Sequence, residues 1–217
     1  MSHDTSTDER HGSDPASGAG ADAGAVGPDD ADLPEWDDEY LQRAAERLAF
    51  NYDLERDRTA GGEQFDLYGR LEMESKKHFL HPALNFANHH SFEYLFARRT
   101  HGVGVDDLEA LVEVGHDLAD DWIEADEEHF NTDFTFVVVA PAVSDDVRSF
   151  VDGFRDRTLL KYGFYGHYEV NLVVVAPGEE DSVASQEATV EEAFRTWEDI
   201  ERQAPGLLDL VRRRLQL

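Results

Sequence analysis

The chain has 217 residues, with 48 Asp and Glu against 19 Lys and Arg, a formal net charge of −29 and no cysteine. That length allows one medium domain with a tail or two small ones, and the missing thiols exclude a disulfide framework and a Cys-based zinc site. A hydrophobic content of 41%, gathered in runs such as 134–140 and 170–176, excludes an acidic disordered chain.

Residues 1–32 are mainly Asp, Gly, Ala and Ser, with Arg10 their one Lys or Arg, and read as a disordered acidic tail. The N-terminus shows neither a basic segment nor an apolar one, and no stretch approaches about 18 apolar residues, so a signal peptide and a membrane span are not expected and the cytoplasm is. Order is expected to begin at Leu33-Pro34-Glu35-Trp36, where Pro34 and the acids after it suit a helix N-terminus. Tyr40, Leu41, Ala44, Ala45, Leu48 and Ala49 then predict a helix over 37–50.

Extended structure follows. Tyr52 and Leu54 open a short strand that breaks at Ala60-Gly61-Gly62 and turns back as a hairpin. Phe65, Leu67, Gly69, Leu71 and Met73 then alternate against Gln64, Asp66, Tyr68, Arg70 and Glu72, the pattern of an amphipathic strand. Residues 77–81 suggest a short extended piece, and 91–99 alternate again, so 51–99 is expected to form three or four antiparallel strands.

After the turn at Gly102-Val103-Gly104, Leu108, Leu111, Val112, Gly115, Leu118, Ala119 and Trp122 predict a helix over 105–124. The apolar run 134–139 reads as a strand covered on both faces. Ser144 is expected to cap a helix reaching Arg157, and 170–175 is a second fully apolar strand, making a βαβ crossover with the first. A last helix is expected over 189–202. The expected fold is mixed α+β in the order αβββαβαβα, one α/β domain over 33–205 with a sheet flanked by helices. An amphipathic helical tail at 206–217 would carry Arg212, Arg213 and Arg214.

Charge is distributed unevenly. Between Arg70 and His101 lie Arg70, Lys76, Lys77, Arg98 and Arg99 with His78, His81, His89, His90 and His101, against only Glu72, Glu74 and Glu93. In so acidic a chain this predicts a contact surface for an anionic ligand, a phosphate backbone or an acidic protein partner; the alternative is pairing with carboxylates elsewhere on the surface. The stretch 161–168, with two glycines among Tyr162, Phe164, Tyr165 and Tyr168 and with His167 beside them, predicts a bent loop exposing rings for stacking; the alternative is that these aromatics begin the next strand. Imidazoles can also ligate metals, but His-Glu-x-x-His is absent. His116 and Asp120 share one helix face, and Glu127-Glu128-His129 is expected in a loop. No phosphate-binding glycine loop and no nucleophile elbow occurs.

Two resemblances bear on function. The αβββαβ order resembles the core of the PD-(D/E)xK nucleases, which implies a divalent metal held by a strand Asp and a Glu-x-Lys. Here the corresponding residues are Asp66, and Glu74 with Lys76, or Glu93, which lacks the lysine. The segments 65–70, 80–84, 157–161 and 166–169 resemble a haloarchaeal family of unknown function across most of 37–200. That resemblance agrees with an acidic surface holding only three lysines, Lys76, Lys77 and Lys161, because at about 1 M salt the Debye length falls to about 3 Å and self-repulsion is screened. The expected function is a non-catalytic interaction or regulatory module with no cofactor; the alternative is a metal-dependent nuclease or phosphodiesterase.

Overall fold

A computed structural model describes residues 33–75 and 89–199. The expected tail at 1–32, the extended piece at 77–81 and the helix over 206–217 lie outside the described residues. Helix α1 spans Glu39–Leu48 and starts at Asp38, whose carboxylate accepts from the Tyr40 and Leu41 amides at 2.9 and 3.2 Å. The helix expected over 37–50 is thus two residues shorter at each end, and ahead of it Trp36 is pinned, its indole donating to the Asp66 carbonyl at 2.8 Å.

Strand β1 (Asp53–Ala60) turns through Gly61 (φ 56) and Gly62 (φ 79) into β2 (Glu63–Ser75), the left-handed pair that a two-residue hairpin requires. β2 pairs antiparallel with β3 (His89–Arg99), and helix α2 (Val105–Trp122) returns the chain to β4 (His129–Val139), parallel to β3. Helix α3 (Asp145–Asp152), strand β5 (Asp156–Leu159) and a 3-10 turn (Leu160–Gly163) precede β6 (His167–Ala176), which runs parallel to β4. β7 (Asp181–Ala184) and the short α4 (Glu191–Phe194) follow. The seven-stranded mixed sheet has the order β1-β2-β3-β4-β6-β5, with β7 also paired to β6.

The order therefore contains two strands beyond the expected αβββαβαβα. The helix expected to reach Arg157 ends at Gly153, and 156–159 becomes β5, completing the hydrogen bonds of β6 along 167–170, while β7 does so along 173–176. The helix expected over 189–202 is α4 alone among the described residues.

Both sheet faces are covered. Phe65, Phe96, Phe134, Phe136 and Leu172 form the core under α2 and α3, and Leu67, Leu95, Val137, Val173 and Val175 form the core under α1 and α4. Each fully buried Phe or Leu contributes roughly 1.5–3 kcal/mol. This two-sided burial explains the unbroken apolar runs of β4 and β6. It also corrects the alternation expected along β2. Phe65 and Leu67 lie in opposite cores, Tyr68 is 5% exposed rather than solvated, and between the pairs Arg56–Leu67 and Arg58–Phe65 the partner Asp57 is left-handed (φ 52). No helix among the described residues is long and apolar enough to cross a membrane.

The parallel run of β3, β4 and β6 places their starts at one end of the sheet, together with the end of β2, the α2–β4 connection and the β5–β6 loop. The start of α1 and the residues after β3 meet at the opposite end.

Candidate functional site

The basic segment 70–101 is divided between these two ends. Nine steps along the strand separate His90 from Arg99, roughly 30 Å at strand rise. At the α1 end, Arg98 pairs with Glu63 at 2.6 Å, and Arg99 pairs with the α1-capping Asp38 through two guanidinium nitrogens. Burial raises the Asp38 carboxyl, but the Arg99 hydrogen bond with the Leu41 and Tyr40 amides outweighs it and holds the group below its ordinary value. Exposed His101 shares a cavity of about 540 Å³ with Trp36, Arg56 and Asp66.

The nuclease-like set is not assembled around Asp66. The β2 residue opposite Glu93 is Leu71, five residues from Asp66, or roughly 17 Å. Asp66 instead accepts from the Arg99 amide at 2.7 Å. The backbone of Glu74 lies opposite His90, while Lys76, Lys77, His78 and His81 fall outside the described residues. Among the described residues no group of three or more His, Cys, Asp or Glu can hold a metal ion.

Arg70 and His90 lie at the other end, with the backbone of His89 opposite Ser75. There a cleft of about 400 Å³ is floored by an aromatic ladder on β3. His90 stacks on Phe92 and Phe92 on Tyr94, each with centroids 6.3 Å apart and planes within 13° and 7°. Alternate strand residues share a face, which sets this spacing. Trp122, the last residue of α2, closes the ladder edge-on to Tyr94 at 5.0 Å. Burial pushes the Tyr94 hydroxyl up. Arg70 donates to Glu72 at 2.9 Å with its guanidinium 5.8 Å from the Phe92 ring centre, a cation–aromatic contact. Exposed Glu124, Asp126 and Glu128 form the rim, and Glu124 and Glu128 have no cationic partner among the described residues.

His129, expected in a loop, begins β4 and joins this cleft to the β5–β6 loop. Its Nδ1 lies 2.7 Å from the Tyr165 carbonyl and its Nε2 lies 2.8 Å from the Thr132 hydroxyl. A carbonyl only accepts, so Nδ1 carries the proton and Nε2 accepts from Thr132. Burial pulls the imidazole pKa down against the opposing Tyr165 hydrogen bond, in agreement with this neutral form.

The loop itself is strained. Lys161 (φ 46) and Tyr162 (φ 60) are both left-handed, at about 1–2 kcal/mol each for residues with a Cβ. The Leu160 amide donates to the Gly166 carbonyl at 3.0 Å and the Tyr165 amide to Leu160 at 3.3 Å, which closes the loop. Its rings then face solvent: Tyr162 is 95% and Phe164 83% exposed, with Leu159 at 61%. Tyr168, by contrast, is buried in β6, where its hydroxyl meets His116 Nδ1 at 2.9 Å. His116 also faces Asp156, at 3.2 Å.

On the opposite face of the same end lies a buried polar row. Glu93, Asp133 and Glu169 are side by side on β3, β4 and β6, at 8%, 3% and 3% exposure. Asn131 and His167 stand two residues below them, and Thr135 and Asn171 two above. His167 therefore belongs to this row, its Nε2 3.4 Å from Glu169, which also accepts from Arg157 at 2.5 Å. Burial raises the Glu169 carboxyl, but His167 and Arg157 outweigh it and lower the pKa. Asp133 and Glu169 flank the apolar runs in the sequence, and only the strand register reveals them as neighbours.

A family model described as a domain of unknown function (DUF8052) matches residues 37–196. The chain belongs to that family. The DUF8052 match covers every described element from α1 to α4, and with them the cleft, the strained loop and the polar row. No curated protein and no solved structure matches the chain.

Proposed function

We propose that this DUF8052 protein is a non-catalytic interaction module of a salt-rich cytoplasm, and that its contact surface is the sheet end formed by the aromatic cleft and the β5–β6 loop. One observation carries the reading. Of four large hydrophobic side chains exposed among the described residues, Leu159 ends β5 and Tyr162 and Phe164 stand on the loop that follows it, around the left-handed Lys161 and Tyr162. Strain persists where surrounding structure enforces it, and exposed apolar groups concentrated at one place mark contact sites.

The proposed face retains Arg70 and His90 with Tyr162 and Tyr165, and leaves out Arg98, Arg99 and His101, which serve the α1 end. Its carboxylate rim favours a protein partner over a phosphate backbone, which needs a basic surface. A net charge of −29 suits multimolar salt, where the apolar contacts of such a face strengthen as long-range repulsion is screened. The test is recovery of partners on the immobilised full chain in multimolar KCl, comparing wild type with Tyr162→Ser/Phe164→Ser. Loss of specific partners in the variant supports the surface, and undiminished recovery removes it.

A further inference from the structure

The cleft and the loop are complementary to each other. The cleft offers stacked rings with a rim of carboxylates, of which Glu124 and Glu128 lack a cationic partner among the described residues. The loop offers two bare rings, Tyr162 and Phe164, on either side of Gly163, next to Lys161. Lys161 is the one lysine among the described residues, and no carboxylate there pairs with it. The segment 159–166 contains no acid at all, in a chain with 48. Within one molecule the two features stay apart, since the tip rings remain 95% and 83% exposed.

Resting on the contact surface proposed above, we infer that the occupant of the cleft is the β5–β6 loop of a second copy of this chain, and reciprocally, in a two-fold dimer. A two-fold contact requires each copy to present both halves on one patch. His129 supplies that juxtaposition, because it lines the cleft while its ring holds the Tyr165 carbonyl of the loop. Tyr162 and Phe164 then pack against Phe92, Tyr94 and Trp122, and Lys161 meets Glu124 or Glu128. Aromatic pairs and a cation over ring faces are the contacts that concentrate binding energy in small interfaces. Two chains at −29 repel at low salt, so self-association strengthens as KCl rises, the reverse of a contact held by ion pairs alone.

The test is sedimentation equilibrium of the full chain at 0.5 M and 3 M KCl, with a photo-crosslinking phenylalanine analogue at position 162 in an equimolar mixture of isotopically heavy and light chains. The expected result is a monomer–dimer equilibrium shifted toward dimer at 3 M, with heavy-to-light cross-links from 162 to the segment 122–132. Tyr162→Ser/Phe164→Ser is expected to raise the dimer dissociation constant at least about thirtyfold. At 0.5 M KCl, Lys161→Glu and Glu124→Lys/Glu128→Lys each weaken the dimer, and their combination in one chain restores it. A monomer at both salts overturns the inference, as does a dimer cross-linked elsewhere or a 162-to-cleft cross-link within one chain. A monomer that still loses other protein partners through Tyr162→Ser/Phe164→Ser overturns the second copy alone and leaves the contact surface standing.

Discussion

His129 and Tyr165 connect two parts of the molecule that are 36 residues apart in sequence, through an imidazole Nδ1 2.7 Å from a backbone carbonyl. The bond fixes where the strained loop stands relative to the aromatic cleft. It also fixes the tautomer, because the Thr132 hydroxyl occupies the other nitrogen.

A pH dependence follows. The folded state holds the His129 pKa below its ordinary 6.5, so the unfolded chain takes up the proton first. The contribution of His129 to stability is complete above pH 6.5 and declines as pH falls below that value. Urea midpoints in high salt at pH 7.5, 6 and 5 should show this decline in wild type, and His129→Gln should remove its portion between pH 6.5 and 5.

The loop geometry predicts opposite effects at two positions. Gly166 is left-handed (φ 76), and a Cβ there would lie 2.0 Å from the Phe130 carbonyl oxygen, so Gly166→Ala should cost more than about 2 kcal/mol. Lys161→Gly relieves left-handed strain and should stabilise by about 1 kcal/mol. Denaturant titration of both variants checks the pair, and equal effects of the same sign would refute the geometry.

Glu169 depends on its neighbours. Arg157 is more than half exposed, which screens the pair, so Arg157→Gln should destabilise by only about 1–2 kcal/mol at pH 7 despite the buried carboxylate. Glu169 has a depressed pKa, so its stabilisation is present above the ordinary 4.5 and is lost as pH falls further. The penalty of Arg157→Gln should therefore shrink below about pH 4.5, as read from acid unfolding curves of variant and wild type.

Arg98 and Arg99 look like binding residues in the sequence; in the fold they are ion-paired to Glu63 and Asp38. Arg99→Glu sets a carboxylate against the α1-capping Asp38 and should cost about 1–2 kcal/mol, measured as a lowered urea midpoint. Any loss of binding in that variant would have to be separated from unfolding.

Much of this fold is legible in the amino-acid order. The apolar runs of β4 and β6, the stripe on α2 and the Ser144 cap all carry periodicity or chemistry long enough to read. β5 and β7 are four residues each, too short for a period, and exist because the outer edge of β6 needs hydrogen-bond partners. The segment 70–101 resembled one basic surface because its charges are close in sequence, yet a strand carries nine residues across roughly 30 Å. The Glu93–Asp133–Glu169 row and the His129 bridge depend on register between distant strands, which no local pattern encodes.

The most direct measurement compares partner recovery, in multimolar KCl, by wild type, by Tyr162→Ser/Phe164→Ser at the loop, and by Arg98→Gln/Arg99→Gln at the opposite end, all confirmed folded by circular dichroism. Recovery should be lost with the loop variant and kept with the arginine variant. Recovery that survives the loop variant, or that fails only with the arginine variant, would contradict the assignment of the contact surface to the cleft end.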